Sequence, residues 1–179
     1  MKAVAIIPMR ADHLDAVVAI ELQSSPEPWS RGIFEEELRD TVKRSFHVAV
    51  AEGTVVGFCS LLMQLSEGHI ANIAVDPTMR GRRIGARLLL QSSRIAVARG
   101  ATAMTLEVRV SNLSARRLYR WFGFAPAGVR PRYYRSNNED ALIMWVHDVD
   151  TAAFAQRLAA ISLELDREFT RESDREVAS

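Results

Sequence analysis

Residues 105–124, TLEVRVSNLSARRLYRWFGF, decide the fold. The stretch begins as a strand and ends as a helix, and Gly123 can stop that helix. Two residues in it raise a chemical question. The otherwise apolar strand carries a carboxylate, Glu107, and the helix that follows carries a tyrosine, Tyr119. Because a strand that runs into a helix can aim two such side chains at one cleft, the stretch is a candidate for catalysis as well as for folding.

Two helices are predicted near the N-terminus, after a short strand at residues 2–7. Asp12 can cap the first helix, whose apolar stripe comprises Leu14, Val17, Val18 and Leu22. Ser30 can cap the second helix, so that Trp29 and Phe34 occupy the two positions of a hydrophobic staple.

The middle of the chain predicts most of the sheet. FHVAVAEGTVVGFCSLLMQL predicts a hairpin that turns at Glu52-Gly53, and HIANIAV predicts a further strand. A helix is predicted from about Gly85 to Arg99, and DALIMWVHDV predicts the last strand, after a loop rich in arginine and tyrosine. The order β-α-α-β-β-β-α-β-α-β predicts an α/β fold with a mixed sheet and helices on both faces.

The tail from Asp150 onward predicts a separate amphipathic helix. Its apolar residues recur at spacings of 4, 3, 4 and 4 and are Phe154, Leu158, Ile161, Leu165 and Phe169. We therefore divide the chain into a domain at residues 1–149 and a C-terminal helical extension at residues 150–179. The apolar face either packs on its own domain or contacts a partner, so both a monomer and a homodimer stay open.

Composition narrows the function classes. A chain of 179 residues suits one domain, and a net charge of +1 favours neither nucleic acid nor an anionic membrane as a direct partner. The single cysteine, Cys59, excludes an intrachain disulfide and a cysteine-rich zinc site. The four histidines, His69 among them, show no ligand spacing, so we expect no metal and assign them structural or surface positions. No secretory signal or membrane span is recognisable, and we expect a cytoplasmic protein.

A loop rich in arginine and glycine follows the strand HIANIAV. It reads DPTMRGRRIGARLLL over residues 76–90 and opens a helix, whose unpaired amides and dipole favour an anion. Glycine also lets a phosphate approach the backbone closely. The spacing fits neither a Walker A loop nor the dinucleotide fingerprint. The loop is therefore interpreted as a pyrophosphate cradle, with a solvated basic helix start as the alternative.

These motifs carry a resemblance to a known family. NIAVDP followed by residues 80–86 resembles the acetyl-CoA motif of the GNAT acetyltransferases, although Arg83 stands where that pattern has its first glycine. A side chain at this position must point away from the cofactor. Together with LEVRVSNLSARRLYRWFGF, Trp29-Ser30 and Tyr133-Tyr134, the similarity extends to the bacterial ribosomal-protein-alanine N-acetyltransferases of the RimI type, over roughly residues 3–148.

The resemblance implies a GNAT-like, mostly antiparallel sheet and an enzyme that uses acetyl-CoA as co-substrate, without a metal. It implies that Glu107 is the general base and that Tyr119 is the general acid that protonates the departing thiolate. The implied cofactor contacts are Ile73, Ala74, Val75, Gly81, Arg82, Arg83, Ile84, Gly85, Ala86 and Asn112. The implied substrate contacts are Trp29, Tyr133 and Tyr134.

Several alternatives stay open. The acceptor is either a peptide α-amine, with the N-terminal alanine of a ribosomal protein as the first expectation, or a small amine such as a polyamine or an aminoglycoside. A non-catalytic acetyl-CoA-binding module and an interaction protein that works through its tail helix are further alternatives. For single residues, Glu107 could instead pair with Arg109, Asn112 could cap the helix after it, and Trp29 could serve only the staple.

Overall fold

The computed structural model describes the backbone of residues 4–177 and the side chains of residues 4–167. Residues 2 and 3 of the predicted first strand and the side chain of Phe169 lie outside this range. The described strands are β1 (Val4–Pro8), β2 (Arg44–Ala51), β3 (Thr54–Gln64), β4 (Glu67–Val75), β5 (Ala103–Arg109), β6 (Ala125–Tyr134) and β7 (Glu139–His147). The helices are α1 (Leu14–Ser24), α2 (Arg31–Arg39), α3 (Ile84–Ala98), α4 (Leu113–Trp121) and α5 (Ala152–Val177).

The seven strands form one sheet in the order β1-β2-β3-β4-β5-β7-β6. Neighbouring strands are antiparallel except for β4 and β5, which are parallel. The parallel pair is joined by the crossover helix α3, as parallel strands require. The structure confirms the predicted α/β class with a mixed, mostly antiparallel sheet.

The parallel ladder between β4 and β5 is short, and its end creates the main opening in the sheet. It joins Glu67–Ile70 to Ala103–Leu106 and stops there. β4 continues to Val75 against β3, and β5 continues to Arg109 against β7. The register between β3 and β4 shifts at the same level, which bends β4. We call the gap between residues 71–75 and residues 107–109 the β4–β5 opening.

Separate apolar cores cover the two faces of the sheet. The larger core joins the sheet to α3, α4 and α5 and includes Leu88, Leu89 and Phe122, all fully buried. The smaller core joins the other face to α1 and α2 through Val17 and Phe34. Helices thus cover both faces, and the two strands that flank the opening are fixed between packed layers.

Helix α5 packs on its own domain, which was the first of the two predicted alternatives. Phe154, Leu158, Ile161 and Leu165 are all buried in the larger core. The Arg87 guanidinium of α3 also donates to the backbone carbonyl of Leu165 at 2.8 Å. Within residues 4–177, no helix is long and apolar enough to cross a bilayer. The boundary between the two predicted segments, at residue 149, stays a prediction.

Strand β6 corrects the prediction of a loop before the last strand. Within residues 4–177 it is an edge strand that pairs only with β7, and its pairing is interrupted between Pro126 and Gly128 and again between Arg130 and Tyr134. Most of its residues are exposed, so it lacks the apolar alternation by which strands are recognised. Proline is tolerated there because an edge strand has unpaired positions.

The predicted helix starts are right for α2 and wrong for α1. The Ser30 hydroxyl accepts the N–H of Ile33 at 3.3 Å, and the Trp29 and Phe34 rings lie 5.4 Å apart, which confirms the cap and the staple. Asp12 does not cap α1. It lies in a 3-10 turn (Ala11–His13) and pairs with the neighbouring Arg10 at 3.0 Å.

Candidate active site

Glu107 lies on β5, just beyond the end of the β4–β5 ladder. Because Leu106 and Val108 are buried in the larger core, strand alternation turns Glu107 to the other face. Both of its carboxylate oxygens are engaged. Oε2 lies 2.7 Å from Nε2 of His69 on β4, and Oε1 lies 3.1 Å from a guanidinium nitrogen of Arg130 on β6. Three strands therefore converge on this carboxylate.

The contacts of Glu107 set its protonation. The hydrogen bond with His69 lowers the pKa of Glu107, burial opposes this effect, and the positive charge of Arg130 lowers the pKa further. The carboxylate is therefore ionised at neutral pH and can accept a proton, although a lowered pKa makes it a weak base on its own. The predicted alternative partner, Arg109, pairs instead with Glu139 at 3.1 Å.

His69 is a residue of the candidate site that its sequence context does not reveal. No ligand spacing surrounds it, which predicts a structural or surface position instead. In the parallel ladder His69 stands opposite Thr105, one side-chain repeat before Glu107 on the same face of β5. Its side chain is 28% exposed, against 13% for Glu107, so the imidazole is the more accessible member of the pair. The register of the β4–β5 pairing identifies His69 as a neighbour of Glu107, whereas the spacing of residues along the chain does not.

Tyr119 lies on α4 and is 5% exposed within the larger core, where its ring stands 6.0 Å from that of Phe124. Burial raises the pKa of Tyr119, with smaller contributions from Cys59 and Tyr134. The hydroxyl therefore stays protonated at neutral pH and is able to donate a hydrogen bond. Beside the larger effect of burial, Tyr134 contributes to the raised pKa of Tyr119, and Glu107 contributes to the raised pKa of Tyr134.

The tyrosine pair of β6 forms a wall beside Glu107. The Tyr133 and Tyr134 rings meet edge to face at 5.1 Å. The Arg109 guanidinium lies 3.7 Å from the centre of the Tyr134 ring, and that of Arg130 lies 5.6 Å from the Tyr133 ring. Burial raises the pKa of Tyr134 to about 12, whereas Tyr133 is 43% exposed. The wall is aromatic on its face and cationic along its edge.

Acidic side chains of β7 hold this wall, one of them within the β6–β7 hairpin and the other through the residues after β5. Asp140 accepts the backbone N–H of Arg132 at 2.7 Å, where the chain adopts a left-handed φ of 51°. Glu139 accepts the backbone N–H of Ser111 at 2.9 Å, and its hydrogen bonds with Ser111 lower the pKa of Glu139 to about 2. The hairpin that carries the tyrosines is therefore held by charge-assisted bonds to the backbone.

Trp29 lies in the loop between α1 and α2. Its ring packs on Phe34, and its backbone N–H donates to Oε1 of Glu21 at 3.0 Å. The staple accounts for the half-buried indole. A contact between Trp29 and a substrate stays a prediction.

The arginine–glycine loop has the features of an anion cradle. Helix α3 begins after Arg83, which has a left-handed φ of 56° and gives the helix no side-chain cap. The first amides of α3 are therefore not capped by that side chain, as an anion site requires. A Cβ added at Gly81, whose φ is 80°, would meet no atom within 4 Å, so the loop is open there. The Arg83 guanidinium lies 5.1 Å from the Trp121 ring of α4.

The other predicted cofactor residues fit an extended ligand mainly through their backbone. The side chains of Ile73 and Val75 pack against the larger core, and Ala74 belongs to the smaller one. Ile84 and Ala86 are likewise buried, Gly85 stands against α4, and Arg82 is exposed. Asn112 caps α4 by accepting the N–H of Ala115 at 3.1 Å, which confirms its predicted capping alternative. The backbone of β4 borders the opening, and these residues fit a long phosphate-bearing thioester.

The arrangement can move protons and hold an anion. A carboxylate and an imidazole share one hydrogen bond, and a buried tyrosine keeps its proton. The loop after β4 leads to a helix start that has no side-chain cap from Arg83. Among the described residues, no group of three or more His, Cys, Asp or Glu side chains could hold a metal ion.

Comparison with known proteins gives a consistent result. The acetyltransferase (GNAT) family matches residues 14–124. A putative ribosomal protein bS18-alanine N-acetyltransferase of Bacillus subtilis is 38% identical over 138 residues, which cover 77% of this chain and 91% of that protein. The crystal structure of the ribosomal-protein-S18-alanine N-acetyltransferase of Escherichia coli superposes with a TM-score of 0.75 at 30% identity, covering 82% and 94% of the two chains. Ard1 of Thermoplasma volcanium gives a TM-score of 0.75 at 27% identity, covering 81% and 97%.

Proposed function

We propose that this chain, which belongs to the GNAT family of acetyltransferases, acetylates the α-amine of a peptide or protein N-terminus. The chain is an acetyl-CoA-dependent N-acetyltransferase by its family and its relatives. The identity of the acceptor is the step that we propose. Two of the similar proteins are named as alanine N-acetyltransferases of a ribosomal protein, so a peptide that begins with alanine is the first acceptor to test.

One observation carries the choice of a peptide acceptor. Arg130 joins the tyrosine wall to the candidate base, since its guanidinium contacts Glu107 at 3.1 Å and lies 5.6 Å from the Tyr133 ring. An acceptor amine at Glu107 would therefore have the next residues of its peptide beside Tyr133 and Tyr134. Tyrosine offers a flat apolar surface and a hydroxyl for the peptide backbone. A small amine would use little of this wall.

The cofactor would be held along β4 and at the start of α3. Acetyl-CoA supplies the activated acetyl thioester. The backbone of Ile73, Ala74 and Val75 would bind its extended arm at the opening, because their side chains are committed to the two cores. The uncapped amides after Arg83 and the open backbone at Gly81 would bind the pyrophosphate, with Arg82 available as a cation.

Glu107 and His69 would take the proton from the amine. An α-amine has a pKa of about 7.7–8.0, so a large fraction is already neutral near pH 8. The base then needs to accept only the proton released as the amine attacks directly in a ternary complex. The 2.7 Å bond between the two side chains lets them share that proton, either directly or through a water.

Tyr119 would assist the departing thiolate. Its buried hydroxyl keeps its proton at neutral pH because its pKa is raised, so it can donate a hydrogen bond to sulfur. Backbone N–H groups at the opening would stabilise the charge that develops on the carbonyl oxygen. These roles match the ones that the family resemblance implied for Glu107 and Tyr119.

The test compares acceptors in a variant of the wall. Tyr133→Ala should raise the KM for a peptide that begins with alanine by about tenfold, equal to about 1.4 kcal/mol. It should leave the kinetics with spermidine unchanged. Val129→Ala, on the same strand and also exposed, is the matched control and should change neither. A wild-type protein that acetylates spermidine better than the peptide would contradict the proposal.

A further inference from the structure

Glu21 is a buried carboxylate that the proposed reaction does not use. It is 2% exposed on α1, at a place where the apolar stripe predicted Leu22 in the core. Leu22 is instead 62% exposed. Burying a carboxylate is costly unless hydrogen bonds compensate it, so a Glu at this position needs a physical reason.

The Glu21 side chain holds the loop that follows its own helix. Oε1 accepts the backbone N–H of Trp29 in the α1–α2 loop at 3.0 Å. Burial raises the pKa of Glu21, and the Trp29 amide and the side chain of Asn72 on β4 oppose this effect to a smaller extent. Among the described residues, none hydrogen-bonds to the buried Oε2.

Asn72 lies on β4 at the β4–β5 opening. It lies two residues beyond Ile70, the last residue of the parallel ladder, and pairs with Ser60 of β3. It immediately precedes residues 73–75, which we propose to hold the acetyl-CoA arm. Helix α1, which carries Glu21, packs on the strand segment that the cofactor would use, because Val17 and Ile20 share the smaller core with Ala74.

The same loop also reaches the tyrosine hairpin. Glu27, two residues before Trp29, accepts the backbone N–H of Ser136 between β6 and β7. The α1–α2 loop is thus attached to the hairpin through Glu27 and to α1 through the bond between the Trp29 N–H and Glu21. Trp29, for which a substrate contact is predicted, is therefore the residue through which the loop is attached to α1.

We propose that Glu21 is a positioning residue that fixes Trp29 to α1, which packs on β4, so that the peptide groove stands at a set distance from the bound acetyl thioester. This inference rests on the proposed peptide acceptor. Removal of the carboxylate frees the Trp29 amide and so loosens the α1–α2 loop. The separate loop at residues 80–86, which would bind the pyrophosphate, is unchanged. The effect should therefore fall on the peptide and spare the affinity for acetyl-CoA.

The experiment uses three substitutions at Glu21 in the full chain. Glu21→Ala should raise the KM for an alanine-starting peptide about tenfold, with the Kd for CoA by calorimetry within about twofold. Glu21→Gln should restore the peptide KM, because its amide oxygen can still accept the Trp29 N–H. Glu21→Asp keeps the charge but is one methylene shorter, and it should resemble the alanine variant. If Glu21→Ala does not fold, the comparison of Gln with Asp decides.

Ser60→Ala is the matched control. Ser60 is fully buried on the sheet beside Asn72 and its Oγ lacks a partner within the described structure, but it has no bond to the loop. Its substitution should leave both constants unchanged. An unchanged peptide KM in Glu21→Ala and Glu21→Asp, or an equal loss of CoA affinity, would overturn the positioning role while the proposed function stands. A wild-type protein that acetylates no peptide α-amine would overturn both.

Discussion

Substitution of Glu107 by glutamine and of His69 by alanine, singly and together, should show that the two side chains act as one proton acceptor. Their bond of 2.7 Å is partly shielded, with 13% and 28% of the side chains exposed. General-base catalysis typically contributes about 10²- to 10⁴-fold. Since an α-amine with a pKa of about 7.7–8.0 is largely neutral at pH 8, we expect the lower end of that range. Each single change should lower kcat about 10²-fold, or about 2.7 kcal/mol.

The double variant carries the decisive information. If the two residues act as a unit, the first substitution removes their whole contribution, so kcat of the double variant should also be about 10²-fold below wild type. If they act independently, the two losses in kcat multiply to about 10⁴-fold. The assay is kcat at pH 8 with saturating acetyl-CoA and an alanine-starting peptide. The affinity for CoA, measured by calorimetry, should stay within about twofold, because neither side chain belongs to the loop at residues 80–86.

A control histidine separates the pair from general effects of histidine removal. His147 is exposed, stacks on Trp145, and pairs with Ala103 at the opposite end of β5. His147→Ala should leave kcat unchanged. Multiplicative losses in the double variant, or single variants with kcat within about threefold of wild type, would refute the shared proton acceptor.

Three further predictions follow from individual side chains. Tyr119→Phe should lower kcat about 10²-fold by steady-state kinetics and leave the affinity for CoA unchanged; full activity would remove Tyr119 from the mechanism. Leu158→Ala, at a site 6% exposed on α5, should lower the free energy of unfolding in urea by about 2–5 kcal/mol, and a loss below about 1 kcal/mol would mean that α5 is loosely attached. Because the pKa of Glu139 is about 2 in the folded protein and about 4.3 when unfolded, its ionised form stabilises the fold above about pH 4.3 and loses this effect as the pH falls towards 2. The Tm advantage of wild type over Glu139→Gln should therefore shrink across that window, and a constant advantage would contradict the assignment.

Local signals in the sequence predicted the elements that depend on neighbouring residues. The hairpin turn at Glu52-Gly53 is confirmed, since both residues adopt the left-handed φ values, 52° and 77°, that a tight hairpin needs. The Ser30 cap and its staple are confirmed for the same reason, because each needs only a few consecutive residues. The predicted end of the helix at Arg99 is a third case, because the next residue, Gly100, has a left-handed φ of 86°.

The features that depend on distant partners could not be predicted in this way. Strand β6 exists because β7 pairs with it, although its own residues are mostly exposed. Glu21 is buried where the Trp29 amide reaches it from the α1–α2 loop, and no helical periodicity encodes this contact. His69 meets Glu107 across the β4–β5 pairing, although 38 residues separate them in the chain, and Arg130 reaches Glu107 from β6, two strands away in the sheet.

The candidate site could be predicted in part, because some of its features depend on local sequence and others on distant partners. The sequence placed Glu107 on a strand and Tyr119 on the following helix, and both placements are confirmed. Their catalytic roles, and the cofactor and substrate contacts, stay predictions that need the variants described above. The structure adds the electrostatic setting, in which His69 and Arg130 keep Glu107 ionised and burial keeps Tyr119 protonated.

The site of acetylation on one peptide tests the central claim most directly. The peptide should begin with a free alanine and carry one lysine, and the product should be mapped by tandem mass spectrometry against a reaction without enzyme. That blank is needed because the α-amine, with a pKa of about 7.7–8.0 against about 10.4 for lysine, also reacts faster without a catalyst. We predict acetyl transfer to the α-amine well above the blank, and its loss with Glu107→Gln. Enzyme-dependent acetylation of the lysine alone, or an α-amine signal no greater than the blank, would contradict the account.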